Sequence, residues 1–421
     1  MPDSPAGGDL LHPNFRYYLT VRILTTTASE MQALAVAWQV YALTHRPLDL
    51  GLVGLAQFLP GILLFLVAGQ TADRFARQRI LQTCCAGFAL CSLLLLGLTW
   101  HGLSSILPIY CVLLLNGTVR AFNGPAGQAF LPLLVPEADF PKAVAWNSSI
   151  FQAATIAGPV AGGLLYGSTT SPALVYSFAA IEFLAALLVL AGIRVRAAGG
   201  RRPAASYAMA LEGLRYIRRN NLILGAISLD LFAVLLGGAV ALLPVYAREI
   251  LKIGASGLGI LRSAPGLGAV IMALVVARWP LRRHAGAIML WCVGGFGVFT
   301  VVFGLSHRLW LSLAALALIG ACDMVSVIVR HTLVQLATPD AMRGRVSAVN
   351  MVFIGASNEV GQFESGITAQ WFGAVPAVVL GGLGTIAIVA LWAWRFPALR
   401  RVGALVPNAE NQRSHGEIKA R

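Results

Sequence analysis

Apolar residues in this chain form runs of roughly 20, separated by short polar breaks, from about residue 16 to about residue 396. A helix of about 20 residues crosses a hydrocarbon core of about 30 Å, so each run predicts one membrane span. Twelve are predicted, at 16–43, 48–71, 80–100, 105–129, 142–167, 171–193, 221–247, 255–278, 285–305, 309–331, 345–372 and 374–396. Proline and glycine inside the runs are tolerated because neighbouring helices re-satisfy the backbone groups they free. The longest polar interval divides the runs six and six. It predicts a short amphipathic helix capped by Ser206 and ending at Arg219, with Leu211, Leu214 and Ile217 on the cytoplasmic leaflet. A solvated linker is the other reading of that interval. The expected organisation is an N-terminal six-helix bundle over 1–193, a cytoplasmic linker over 194–220, a C-terminal six-helix bundle over 221–397 and a basic, polar tail over 398–421.

Composition agrees with an integral membrane protein. Of 421 residues, 57% are hydrophobic and 11% charged, whereas soluble domains are about half apolar and about a quarter charged. The formal net charge is +14, and its placement explains it. With both termini inside, only Arg46, Arg248, Lys252 and Arg308 fall outside, while Arg22, Arg120, Arg262 and Arg330 lie within spans. All other Lys and Arg face the cytoplasm, which is the positive-inside pattern. No soluble segment is long enough to carry a nucleic-acid face. All six cysteines lie inside apolar runs without metal-ligand spacing, which reads as packing. The N-terminus lacks a basic region followed by a short apolar core, so no cleavable signal is expected.

The chain also repeats itself. Shifted by 205 positions, "GLVGLAQFLPG" from Gly51 meets "SGLGILRSAPG" from Ser256; shifted by 203, Gly117 meets Gly320, Arg120 meets Asp323 and Gly158 meets Gly361. An even number of spans per copy makes the copies parallel, and such repeats place a central cavity between halves that rock against each other.

Two motifs sit within this frame. Between spans 2 and 3 stand Gly69, Asp73, Arg74 and Arg77, with Gln78 next; on span 5 stand Gly158, Pro159, Gly162 and Gly163, preceded by Ala154. Together with the duplicated twelve spans, they resemble the major facilitator superfamily, over essentially the whole chain. The first resembles its G-x-x-x-D-R-x-x-R-[KR] loop, with Gln78 where a second base is usual. The resemblance implies a cytoplasmic gate in which Asp73 latches the inner side; a merely topogenic loop is the alternative. The second resembles the antiporter motif G-x-x-x-G-P-x-x-G-G, with Ala154 for the first glycine. It implies export; close helix packing alone is the alternative. Segments around "FNGPAGQAFLPLLVPEADFPKAVAWNSS" and "TPDAMRGRVSAVN" look most like the branch holding enterobactin exporters and macrolide-efflux proteins. The implied fold is all-α, with twelve membrane helices in two parallel six-helix repeats. The implied site is a cavity lined by spans 1, 4, 7 and 10.

Glu30, Arg120, Glu182, Asp230, Asp323, Glu359 and Glu364 fall within predicted spans. Each costs about 2.5–3.5 kcal/mol at mid-membrane if turned to lipid, so most are expected to face water or a partner. Glu30, Arg120, Asp230 and Asp323 are the candidates for proton or substrate contact, with Gln57 and Gln362 as polar contacts. Glu182, Glu359 and Glu364 are expected to be structural. Arg120 and Asp323 occupy equivalent positions and are candidates for a pair across the cavity. A local bridge from Asp323 to Arg330, two turns away on the same face, competes with it.

No phosphate-binding G-x-x-x-x-G-K-[ST] sequence and no hydrolase motif is present. The expectation is a non-enzymatic exporter of a siderophore or amphipathic drug, driven by the proton motive force without a cofactor. Its partners would be its substrate and the lipid bilayer, with no nucleic acid. It would sit as a monomer in a bacterial inner membrane. Import of a small metabolite, or a non-transporting sensor or scaffold, are the alternatives.

Overall fold

A computed structural model describes residues 13–102, 105–193, 207–281 and 284–403. Every regular element among them is helical. The first six runs become α1 (Pro13–Thr44), α2 (Pro47–Leu63) with α3 (Phe65–Arg74), α4 (Arg77–His101), α5 (Leu107–Phe130), α6 (Phe140–Thr169) and α7 (Ala173–Ala191). The linker helix is α8 (Tyr207–Arg219). The last six runs become α9 (Asn221–Leu236) with α10 (Leu243–Val245), α11 (Gly254–Arg278), α12 (Ala285–Gly304), α13 (Leu309–Ala337), α14 (Asp340–Phe372) and α15 (Ala374–Arg395), followed by the short α16 (Pro397–Arg400).

Two predicted spans are not single helices. The second breaks at Leu64, and its two parts are bent by 59°. Pro60 lies one turn earlier and cannot donate to the carbonyl behind it. The seventh stops at Gly237–Gly238 and continues as a 3-10 turn (Ala239–Leu242), α10 and a π-helical turn (Tyr246–Ile250). Two adjacent glycines and Pro244 weaken helix propensity there.

Among the described residues, eight helical stretches are long and apolar enough to cross a membrane, nine when the bent pair counts as one. The long helices that fall short are α1, α5 and α14, because their apolar character is diluted by polar groups. In α1 the two buried glutamines, Gln32 and Gln39, are satisfied by neighbouring helices. Ser92 donates to Gln32 Oε1 at 2.5 Å, Gln39 Nε2 donates to Thr99 at 3.1 Å, and Tyr176 donates to Gln39 Oε1 at 2.6 Å. A buried amide so paired costs far less than an orphaned one.

The described residues form two compact units. One holds residues up to Tyr207 together with Ala241–Ser263; the other holds Ala208–Val240 and the residues from Ala264 onward. The division departs from the sequence repeat, because the second half of span 7 and the first two turns of α11 pack with the N-terminal helices. Inside each unit the repeat is visible as equivalent contacts. A Cβ on Gly117 would run into the Gln57 carbonyl oxygen, and one on Gly320 into that of Pro265. Likewise Gly158 abuts Glu30 and Thr27, while Gly361 abuts Leu235 and Val234.

The linker helix corrects one expectation. Ile217 is buried with Ile223, Ile227, Val334 and Val346. Tyr216 donates to the Ala337 carbonyl at 3.2 Å, and Glu212 pairs with Arg345 at 2.7 Å. The apolar face of α8 therefore turns onto α9, α13 and α14 instead of onto a leaflet. Only Leu211 is left exposed, because it sits off that face. Ser206, the expected cap, lies outside the described residues.

Three cysteines, Cys84, Cys85 and Cys91, are buried; Cys111 is exposed and Cys292 and Cys322 are intermediate, all as free thiols. Packing thus accounts for the first three but not for Cys111.

Candidate functional site

The span-5 motif forms two faces of α6. Positions four apart share a face of a helix. Gly158 and Gly162 face α1, where a Cβ would lie 2.7 Å from Glu30 Cβ and 2.9 Å from Met31 Cα. Pro159 and Gly163 face α11. A Cβ on Gly163 would lie 2.7 Å from the Ala255 carbonyl oxygen and 3.0 Å from Gly259 Cα. The row continues at Gly167, which abuts Ser256. Two hydrogen bonds close this seam: Ser263 donates to the Ile156 carbonyl at 2.6 Å and Ser256 to the Gly163 carbonyl at 3.3 Å. Ala154 is buried where the motif usually has glycine.

Beside the seam, Glu30 of α1 pairs with Arg262 of α11 at 3.6 Å, both about a quarter exposed. Arg262 was not among the expected site residues. Its signal was present, since the repeat aligns it with Gln57, which was. Gln57 itself is half-buried on α2. At the end of α1, Tyr41 donates to Glu249. There the Arg248 guanidinium lies 5.9 Å from the Trp38 ring, and that ring stands edge-on to Tyr166 at 6.2 Å. Glu249 and Arg248 belong to the π-helical turn, a rare element frequent at functional sites.

In the other unit, Asp230 of α9 makes an ion pair with Arg330 of α13, both under 10% exposed. This rules out the competing local bridge: Arg330 reaches across to α9 and does not pair with Asp323 on its own helix. The reason is reach, since a guanidinium two turns along one helix is farther than a carboxylate on the adjacent one. Asp323 and Asp230 instead line one small cavity with Ser326, Cys322 and Phe296, with room for about one water molecule. Arg120 is exposed on α5 in the first unit. On α14, Gln362 donates to Glu359 at 3.3 Å and Thr368 to Glu364 at 2.8 Å. Glu182 on α7 buries one unpartnered carboxylate oxygen.

In the loop between spans 2 and 3, Arg77 donates to the Ala129 carbonyl at 3.3 Å. Gln78, the departure from the pattern, donates to the carbonyls of Leu190 at 2.9 Å and Ile193 at 2.7 Å. It caps the last carbonyls of α7, which an amide does without adding a charge. Gly69 is half-buried, and Asp73 and Arg74 are exposed at the end of α3. Neither Asp73 nor Arg74 makes a hydrogen bond or ion pair among the described residues. Asp73→Asn is expected to lower transport at unchanged expression and insertion; wild-type flux would leave the loop a purely topogenic role.

The family model for transmembrane secretion effectors matches residues 7–416. The chain belongs to that family, a branch of the major facilitator superfamily. It is therefore a multi-pass membrane transporter and not an enzyme. Among the relatives of this secretion effector is the enterobactin exporter EntS of Shigella boydii serotype 4, 28% identical over 385 residues, covering 89% of this chain and 86% of that protein. The enterobactin exporter EntS of Escherichia coli O139:H28 matches with the same identity and coverage. Solved structures share the fold at low identity. A bacterial homologue of the lysosomal transporter Spinster has TM-score 0.73 at 12% identity over 96% of this chain and all of that one. A bacterial homologue of the iron transporter ferroportin has 0.69 at 15% identity over 91% and 99%.

Proposed function

We propose that this transmembrane secretion effector exports a siderophore of the enterobactin kind across the cytoplasmic membrane of a bacterium. It does so by alternating access, as a monomer with both termini inside, and protons flow inward in exchange. The observation that carries the substrate class is the 28% identity with enterobactin exporters along 385 residues. The direction is supported by the seam of α6, whose two small-residue rows hold α1 on one side and α11 on the other.

Proton exchange is energetically adequate. One inward proton supplies about 2.3 kcal/mol per 100 mV. At 1.36 kcal/mol per decade, that sustains a roughly 50-fold gradient of a neutral substrate. Acids inside the spans supply groups able to hold the proton, and desolvation is what lets a carboxylate keep one.

The test is secretion by a strain lacking its own siderophore exporter. Expressing this chain is expected to restore enterobactin in the medium. Unchanged secretion together with raised tolerance of an amphipathic drug such as a macrolide would replace the siderophore by a drug-like substrate.

A further inference from the structure

Six carboxylate groups lie well inside the spans, and their charges are not balanced alike. Glu359 accepts a hydrogen bond from Gln362, and Glu182 on α7 buries one oxygen without a partner and, among the described residues, without a second carboxylate beside it. Glu30 has Arg262. Asp230 has Arg330, and both are almost fully buried. Glu364 accepts a hydrogen bond from Thr368. Asp323 alone of these shares a cavity with a second carboxylate and has no cation of its own among the described residues.

We infer that the cavity between α9, α12 and α13 is a one-proton site, with Asp323 as the carboxylate that takes and releases the proton and the Asp230–Arg330 pair as its fixed wall. The inference rests on the exporter reading and names the coupling group within it.

Charge accounting supports the assignment. Two carboxylates and one guanidinium leave one uncompensated negative charge at the cavity. An isolated charge in a poorly hydrated site is costly, and neutralisation by a proton removes the cost. Protonating Asp230 instead would strand Arg330, a guanidinium 3% exposed, without its partner. Protonating Asp323 strands nothing. The other walls do not compete: α12 contributes Val293 and Phe296, and α13 adds Ser326 and the Cys322 thiol. The step is simple. The carboxylate and a hydronium ion in the cavity give a carboxylic acid and water, and release reverses it. The cavity has room for about one water to carry that exchange. The wall sits beside the Gly237–Gly238 break in span 7, where Gly237 abuts Phe296 of the same cavity.

The experiment has two arms on purified protein. In the first, without substrate, bound protons are counted with a pH-sensitive dye over the range in which transport is active. Asp323→Asn is expected to bind one proton fewer than wild type, and Glu30→Gln the same number as wild type. In the second, proteoliposomes are loaded with enterobactin. Asp323→Asn is expected to lose at least tenfold of gradient-driven accumulation while keeping siderophore exchange at equilibrium within twofold. Equal proton binding by Asp323→Asn and wild type overturns the inference, as does undiminished accumulation. Loss of exchange together with accumulation in a folded variant overturns it too, since Asp323 would then serve substrate movement itself. If the asparagine variant does not fold, Asp323→Glu replaces it and is expected to shift the pH of half-maximal accumulation; an unshifted midpoint overturns the inference. A wild type that moves no enterobactin would remove the substrate class, whereas the first arm would still read the proton site.

Discussion

Arg330→Met is expected to destabilise the protein by about 3–5 kcal/mol, the usual cost of leaving one member of a buried ion pair without its partner. Arg330 is 3% exposed and Asp230 6% exposed. The pair joins α9 to α13 deep inside one unit. Removing the guanidinium leaves the Asp230 carboxylate without its cation, in a site with room for about one water. Removing both charges together is a different experiment. Asp230→Asn with Arg330→Met leaves no orphaned charge, and neutral replacements of a buried pair are often tolerated. The double variant is therefore expected to unfold later in a thermal melt in detergent than Arg330→Met alone. Equal melting of single and double variants would show that the pair is not coupled. The comparison also separates stability from transport, since the double variant retains Asp323.

Gly163→Leu is expected to slow transport about 10-fold to 100-fold while leaving insertion intact. The site has no room: even a methyl group would meet the Ala255 carbonyl at 2.7 Å and Gly259 Cα at 3.0 Å. Both are backbone atoms, which cannot rotate away. Relief requires α6 and α11 to separate, and that would also break the bond from Ser256 to the Gly163 carbonyl. Overpacking typically costs about 1–3 kcal/mol for a few methylenes. If most of that falls on the close-packed conformation, a cycle that must revisit it slows about 10-fold to 100-fold. Gly97→Leu on α4 is the control, because a Cβ there meets nothing within 4 Å. It is expected to transport at the wild-type rate. Equal rates for the two variants would mean that the α6–α11 seam is not revisited during the cycle.

Much of this architecture could be read from the chain. Hydrocarbon demands about 20 apolar residues per span, so twelve runs announce themselves. A duplicated sequence announces equivalent packing, as Gly117 and Gly320 show. The two faces of the span-5 motif were also implicit in its four-residue spacing. Less was visible at the charged positions. Partner choice depends on which helix lies alongside, and spacing along one helix does not encode that. Thus Asp323 and Arg330 share a face, yet Arg330 pairs with Asp230. Arg262 showed itself only through alignment with Gln57. The end of α9 was hidden for another reason. Glycine pairs are common in membrane helices, and Gly237–Gly238 breaks this one while Gly162–Gly163 does not. The linker helix had the right amphipathic pattern but a misjudged partner, because an apolar stripe fits a protein surface as well as a lipid one.

The most direct test of the account is transport by the purified chain in proteoliposomes with an imposed proton gradient. Enterobactin is expected to accumulate against its own gradient on the side from which protons leave, and to stop when a protonophore collapses the gradient. Flux that is the same with and without the gradient would contradict the account.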